Sequence, residues 1–469
     1  TNYKPFALPY DLIEEISTYF SRRETVLLLT VNNQFHSVLA RAIWRKICLD
    51  DSLINHIPAS AWQTYGHLVR FATVELYESH EHLDAIRMPN VVDLTLYLMN
   101  RGYNIFDGVG LNNLQRLYLN LPSYGWTSFA DINGVELARR LERSGHPITV
   151  YWDIHVETQK QVAALNGILA PIADTSSHSF KITARSMHSV HLQHLSKLAE
   201  MLTELDLSGP LFVLNDLPGD PVDFFPRLVK LNLRYVEFNE DDPVGLNVLI
   251  PDRFPVLQHL TIDSLSSFDL GWLEILFSRD WPSITELTFP SCNSSLEVAT
   301  IASHVPNLRR LIVNGYSSVL DINQATEHWS HLQYLEIDNS VRFEYSASSK
   351  PWPQLANLKS FVYKPIRELY QFFIRQHVLD FILHGAPNLE SIELKQGYFS
   401  KNALRVGQGR VNPSVHTLDI EIGSDRFNVV AAKTFIEMFP NLKLLKVRSK
   451  DSIAGQLLKE YPKLDIQFY

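Results

Sequence analysis

The residues with the best claim to chemistry in this chain are histidines. His188, His191 and His194 recur every third residue at the start of a segment with helical periodicity, and imidazole is a common transition-metal ligand. On a helix, however, the third ring drifts well off the face of the first, and no cysteine or carboxylate stands beside them to complete a coordination shell. His80-Glu81-His82 reads as a polar loop. Gly108-Val109-Gly110 and Gly407-Gln408-Gly409 lack the third glycine of a dinucleotide loop, and no nucleophile elbow, phosphate-binding loop or H-E-x-x-H helix occurs. The acids are spread at repeat spacing, so no carboxylate pair stands out for acid–base work. The expectation is a protein that binds rather than reacts: no catalytic residue, no metal site, no cofactor.

Bulk properties narrow the range of partners. At 469 residues the chain exceeds one ordinary core unless it is a repeat that grows along one axis. Its 45% apolar, 20% charged and 11% aromatic residues supply a large core and argue against extensive disorder. A formal charge of -9 and a pI near 6.0 give no long-range attraction for nucleic acid or anionic lipid, so neither is an expected partner. Cys48 and Cys292 alone cannot form a disulfide framework or a zinc knuckle, which fits a reducing compartment, cytoplasmic or nuclear. No apolar run approaches the roughly 18 to 20 residues of a membrane span, and the N-terminus lacks a signal-peptide pattern. Because the chain opens at Thr1, a missing leader carries less weight than usual.

The segment LPYDLIEEISTYF places Leu12, Ile13, Ile16 and Phe20 at helical spacing with Asp11, Glu14 and Glu15 turned mostly away, behind a first-turn Pro9. Ser21 and Glu24 form a capping-box pair, so a second helix starts there. That helix carries Val26, Leu27, Leu28, Leu29 and Val31, more apolar surface than a three-helix unit of about 45 residues buries internally. After the polar Asn32-Asn33 step, Phe35, Val38, Leu39, Ile43 and Trp44 repeat at helical spacing and predict a third helix.

This stretch resembles the F-box motif in its opening Leu8-Pro9, the Ile16 to Phe20 end of its first helix, Val31, Phe35, Leu39 and Trp44. It departs mildly at Asn32-Asn33, where the family often has serine or arginine, and at Phe20, where it usually has leucine. The resemblance covers about a tenth of the chain. It implies a module that binds the Skp adaptor of a cullin-RING ubiquitin ligase, with Leu8, Pro9, Leu12, Ile13, Ile16, Val26, Leu27, Leu28 and Val31 as interface candidates. The alternative is an N-terminal helical cap on the domain that follows.

From residue 91 onward one pattern recurs: apolar, two variable, apolar, one variable, apolar. Twelve clear copies begin at Val91, Leu114, Leu202, Leu228, Leu257, Ile284, Leu308, Leu332, Leu358, Leu389, Val415 and Leu442. Apart from one long gap, successive copies stand from the low twenties to 31 residues apart, the range of leucine-rich repeats. In eight copies a proline lies two residues before the first apolar position, which favours an extended approach to the strand and ends the preceding helix. Helical stretches such as YQFFIRQHVLDFILHG and VVAAKTFIEMF alternate with the strands. The gap holds two degenerate repeats near Ile148 and Phe180, of unassigned register, a further strand begins near residue 68, and PKLDIQFY reads as a closing edge, about fourteen to sixteen units in all. The fold class is therefore α/β: a three-helix module over 1–50, then a solenoid over 51–469, degenerate around 121–200, with a curved parallel sheet inside and helices outside. The usual asparagine or cysteine after the strand is mostly absent, Cys292 excepted, so no side-chain ladder is expected.

Variable positions within and just after each motif should face the sheet's inner surface. Arg234, Asp263, Asn314, Glu336, Asp338 and Lys364 are the candidate target-binding residues there. Their signs are mixed, which disfavours a nucleic-acid channel. The expected function is that of a substrate receptor of an SCF-type ubiquitin ligase, holding the adaptor by its first helices and a target protein by its repeats. The competing expectations are a scaffold that binds the adaptor without ubiquitination and a small-molecule receptor on the solenoid.

Overall fold

The computed structural model describes residues 12–13, 15, 19, 33–54, 56–76, 86–98, 109–121, 139, 141–142, 144, 146–156, 179–186, 190–191, 199–208, 212–213, 225–234, 249–263, 276–289, 301, 303–314, 319–338, 341–344, 354–364, 372–374, 376–395, 397–399, 409–421, 429–448 and 454–468. The chain divides into two compact units, Thr1–Leu211 and Phe212–Tyr469.

In the first unit Leu12, Ile13 and Glu15 are helical, and helix α1 (Asn33–Arg45) runs without a break into strand β1 (Lys46–Asp50). Strands β2 (Phe71–Leu76), β3 (Asp93–Leu98), β4 (Arg116–Leu121), β5 (Thr149–Val156), β6 (Ser179–Ser186) and β7 (Leu202–Ser208) follow, each paired in parallel with its predecessor. The sheet thus begins inside the first fifty residues, earlier than the 51 boundary read from sequence. The reason is that Ile47 and Leu49 are buried in register with Ala72 and Val74, so KICLD is a repeat strand rather than a helix end. The degenerate stretch does hold two strands, and their register is now fixed: Val150 and Trp152 lie opposite Phe180 and Ile182. Between β6 and β7 the register slips at Phe180/Lys181, where Thr203 is the extra residue; its hydroxyl meets Ser179 Oγ at 2.9 Å and donates to the Phe180 carbonyl at 3.2 Å.

In the second unit β8 (Lys230–Arg234), β9 (His259–Asp263), β10 (Glu286–Phe289), β11 (Arg310–Val313), β12 (Tyr334–Asp338), β13 (Ser360–Lys364), β14 (Ser391–Lys395), β15 (Thr417–Glu421), β16 (Leu444–Arg448) and β17 (Asp465–Phe468) pair in parallel in chain order. Parallel neighbours joined by a connection of two dozen residues are the repeat architecture that the motif predicts. The second and fourth residues of each strand form continuous apolar columns, Leu231, Leu260, Leu287, Leu311 and Leu335 in one and Leu233, Ile262, Phe289, Val313 and Ile337 in the other, all buried. The first apolar residue of every copy is fully buried except Leu442, which is half-buried near the last strands. Connecting helices cover the columns from the other side, as where Phe381 packs edge-on against Phe361 at 5.5 Å.

Two sequence expectations change. YQFFIRQHVLDFILHG is not one helix: Phe372–Ile374 is a short strand paired with Gly397–Phe399, and the helix starts only at Gln376. It then loosens into a π turn over Phe381–Gly385. A wide turn leaves carbonyls unmatched, and other repeats supply the donors. The buried Asn412 amide gives 2.8 Å to Ile382 O and 3.0 Å to Ala386 O, and the Leu355 amide gives 2.7 Å to Gly385 O. Likewise Val190–His191 is a short strand where helical periodicity was expected; His188 and His194 lie outside the described residues.

The prolines have a more specific role than an extended approach. Each sits at the second position of a β-turn, closed by hydrogen bonds such as Leu257 N to Phe254 O, Ile284 N to Trp281 O and Leu442 N to Phe439 O. Its ring presets the φ that this position needs. The next residue is often asparagine, and here a ladder exists that was not expected. Asn90 donates to His67 O, Asn113 to Pro89 O, Asn307 to Pro282 O, Asn388 to Ala356 O and Asn441 to Pro413 O, each reaching the preceding turn. Ser283 does the same to Pro255 O. The ladder runs before the strands, not after them.

Turns stack closely enough to require glycine: a Cβ on Gly110 would lie 2.1 Å from Pro89 O, and one on Gly66 would lie 1.8 Å from Arg87 O. Gly110→Ala is therefore expected to lower the unfolding midpoint measurably. Asn412→Ala, which removes a buried amide donor from Ile382 O and Ala386 O, should cost about 2 to 3 kcal/mol in urea unfolding, against about 1 kcal/mol or less for the exposed Asn441→Ala.

Candidate functional site

Odd positions of each strand point away from the apolar columns and form rows across the sheet. In the second unit one row runs through Thr261, Thr288, Ile312, Glu336, Val362 and Glu393, and another places Asn314 beside the Asp338 strand end and Asp338 opposite Lys364. The register therefore gathers the candidates Asn314, Glu336, Asp338 and Lys364 on adjacent strands. Arg234 is exposed at the end of β8 and pairs in register with Asp263.

The middle of this face is not a free acidic surface. Glu336 is 8% exposed and Asp338 1% exposed. The Glu336 carboxylate accepts from Tyr334 Oη at 2.6 Å and from Lys364 Nζ. The Arg310 guanidinium lies over the Tyr334 ring, 3.7 Å from its centre, so four residues on three adjacent strands form one network. Burial by itself would raise the Glu336 carboxyl, but the hydrogen bonds from Lys364 and Tyr334 outweigh it and hold the group below the usual carboxylate range. Burial, and then the bond to Glu336, pushes the Tyr334 phenol up. Asp338 accepts the Val341 amide at 3.3 Å and so organises the turn that follows β12. Glu336 and Lys364 satisfy each other rather than offering a free charge to a partner. Sequence reasoning missed Arg310 and Tyr334 because it counted only the positions within and after each motif; the first strand residue shares the same face.

The first unit carries a different face. Register aligns Thr73, Thr95, Tyr118, Tyr151, Lys181 and Glu204 in one row. Tyr118 and Tyr151 stack at 4.3 Å between ring centres and 9° between planes. Lys181 Nζ stands 5.0 Å from the centre of the Tyr151 ring and bonds Glu204 at 2.6 Å. Beside them Arg116 grips Asp93 through two bonds of 2.8 and 2.6 Å. Tyr151 and Lys181 lay in the stretch whose register could not be assigned; once Val150 and Trp152 are seen as core, the alternation in TVYWD exposes Tyr151.

At the N-terminus, Ile13 is fully buried against Val38, Leu39 and Phe35 of α1, so it packs the module's own core and is not available to an adaptor. Leu12 is 40% exposed and Tyr19 80% exposed. Leu8, Pro9, Ile16, Val26, Leu27, Leu28 and Val31 lie outside the described residues. Trp44 stacks on Tyr65 at 5.5 Å and meets Trp62 edge-on at 5.3 Å, and His36 Nε2 lies 2.8 Å from Tyr65 Oη. Helix α1 is thereby tied to Ala59–Tyr65 between β1 and β2.

Among the described residues no group of three or more histidine, cysteine or acidic side chains is placed to hold a metal, and no helix is long and apolar enough to cross a membrane. No protein-family model matches the chain, and no curated protein does. Among solved structures, a chain from the crystal structure of a TLR13–ssRNA13 complex superposes with a TM-score of 0.41 at 14% identity, over 84% of this chain and 64% of that one. This chain thus spans less than two thirds of that protein's length, and the repeat architecture stands on its own strand register.

Because the folded Glu336 pKa lies below its unfolded value, its contribution to stability is complete above about pH 4.3 and is lost as pH falls through the folded value. Glu336→Gln should flatten the acid limb of a stability–pH curve below about pH 4.3. Lys364→Met removes the counter-charge and leaves the carboxylate bonded to Tyr334, and should cost more at pH 7, about 2 to 3 kcal/mol in urea unfolding.

Proposed function

We propose that this chain is the substrate-recognition subunit of an SCF-type ubiquitin ligase, docking on the Skp adaptor through its N-terminal helices and holding a target protein on its strand faces. The observation that carries this reading is the exposure of Leu12 and Tyr19, while Ile13 is fully buried. A small module that packs Ile13 into its own core and Trp44 onto the first repeat, yet keeps Leu12 and Tyr19 in solvent, is suited to a partner. The F-box resemblance supplies the partner's identity and adds Leu8 and Pro9 as interface candidates. The chain itself carries out no chemistry; it raises the effective concentration of a target beside subunits that transfer ubiquitin. Mixed charge on the repeat faces supports a protein target over nucleic acid.

The Trp44, Trp62 and Tyr65 cluster favours a second reading, in which the helices only cap the first strand. The two differ in what Leu12 and Tyr19 do. Purified chain mixed with Skp adaptor and cullin should retain both, and the Leu12→Asp plus Tyr19→Asp variant should lose adaptor capture by more than about tenfold, with its thermal midpoint nearly unchanged. Wild-type chain that captures no adaptor leaves the cap reading. Capture of adaptor without cullin would make it a scaffold.

A further inference from the structure

The Arg310, Tyr334, Glu336 and Lys364 network leaves one member without a polar partner. Tyr334 bonds one oxygen of the Glu336 carboxylate and Lys364 the other, so that acid is fully used. Arg310 has the ring alone: its guanidinium lies 3.7 Å from the Tyr334 centre, and no hydrogen bond or ion pair joins its side chain to any described residue. Its nitrogens are not among the buried polar atoms that lack a partner, so they face solvent. The other acid beside it, Glu286 in register on β10, turns to His259 Nδ1 at 2.9 Å. The turns leading into β10, β11 and β12, residues 281–285, 305–309 and 329–333, are described throughout and contain no acid. A guanidinium laid flat on a ring keeps its edge clear, and the edge carries its N–H donors in a fork that matches a carboxylate. The ring itself is held by Glu336, so the fork is fixed before a partner arrives and little side-chain freedom remains to be lost on binding.

We propose that the strand face of the second unit binds an acidic segment of a partner protein, one aspartate or glutamate carboxylate closing on the edge of the Arg310 guanidinium. The chain as a whole carries a charge of -9 and repels such a segment, so the attraction is local to this side chain. Within the receptor reading above, on which its biological meaning rests, an acidic stretch is the feature recognised in the target.

The test is fluorescence anisotropy of the full chain at neutral pH with two labelled decapeptides, one of Ser-Glu repeats and one of the isosteric but neutral Ser-Gln repeats. The Ser-Glu peptide is expected to bind, more weakly as salt rises, and the Ser-Gln peptide not. Arg310→Gln should weaken binding about 5- to 20-fold. Arg310→Lys keeps the charge but not the fork, and should fall between wild type and Arg310→Gln. Glu286→Gln removes the acid next to the site and should tighten binding about 2- to 3-fold, a gain that no misfolding imitates. Failure of the wild-type chain to bind the Ser-Glu peptide, equal binding of the Ser-Gln peptide, equal binding by folded Arg310→Gln, or no gain in Glu286→Gln overturns the proposal. So does tighter binding of a single-stranded oligothymidylate than of the peptide, which would make the site a phosphate reader. Adaptor capture is scored separately. Capture without peptide binding removes only the carboxylate site, and peptide binding without capture removes only the ligase reading.

Discussion

The constraint on which each unit depends is parallel register. A strand that pairs with its neighbour residue for residue carries its two inward side chains directly over the same two in the next, so apolar residues of unrelated sequence neighbours become columns. No single repeat could bury its own apolar face; stacked, each such side chain contributes roughly 1.5 to 3 kcal/mol. Just ahead of the strands the carbonyl of one repeat takes two consecutive amides of the next, as Thr285 O does from Arg309 and Arg310, and Gln333 O from Lys359 and Ser360. A slip of one residue would break these bonds and turn the columns outward together. Where the register does slip, at Phe180/Lys181, the hydroxyl of Thr203 takes up the freed groups.

Register also decides which surfaces remain for partners. The turn side is occupied by the protein itself: prolines preset the turns, asparagines bond the carbonyls of the preceding turn, and Gly66 and Gly110 let neighbouring turns touch. The odd positions of the strands face away from the core, but they are not uniformly free. Over β11 to β13 the side chains satisfy one another, with Glu336 bonded to Tyr334 and Lys364 and Arg310 stacked on the phenol. Such a network rigidifies the face. Across β4 and β5 the register stacks Tyr118 on Tyr151, with Lys181 over the latter ring.

The N-terminal helices obey the same economy of surfaces. Ile13 turns inward onto Val38 and Leu39, and Trp44 turns toward the first repeat, while among the described residues before Asn33 Leu12 and Tyr19 stay in solvent. Only a distinction between neighbours in sequence, Leu12 out and Ile13 in, separates a docking face from a core face, and helical periodicity of about 100° per residue blurs it.

What the amino-acid sequence determined by itself is the repeat: the first apolar position of each copy, from Val91 to Val415, is buried where the spacing put it, and the strands near 68, 148, 180 and 465 exist. Period-two alternation and a constant repeat length are local signals, and hydrophobic burial reads them directly. Tertiary structure alone decided the rest. That KICLD is a strand depends on a partner at Phe71–Leu76; that Glu336 holds a counter-charge depends on Lys364; that Tyr151 meets Tyr118 and Lys181 depends on a register spanning residues 116–181. These are contacts between residues twenty or more apart, and a linear pattern carries no information about which distant side chain completes a charge, a ring stack or a strand.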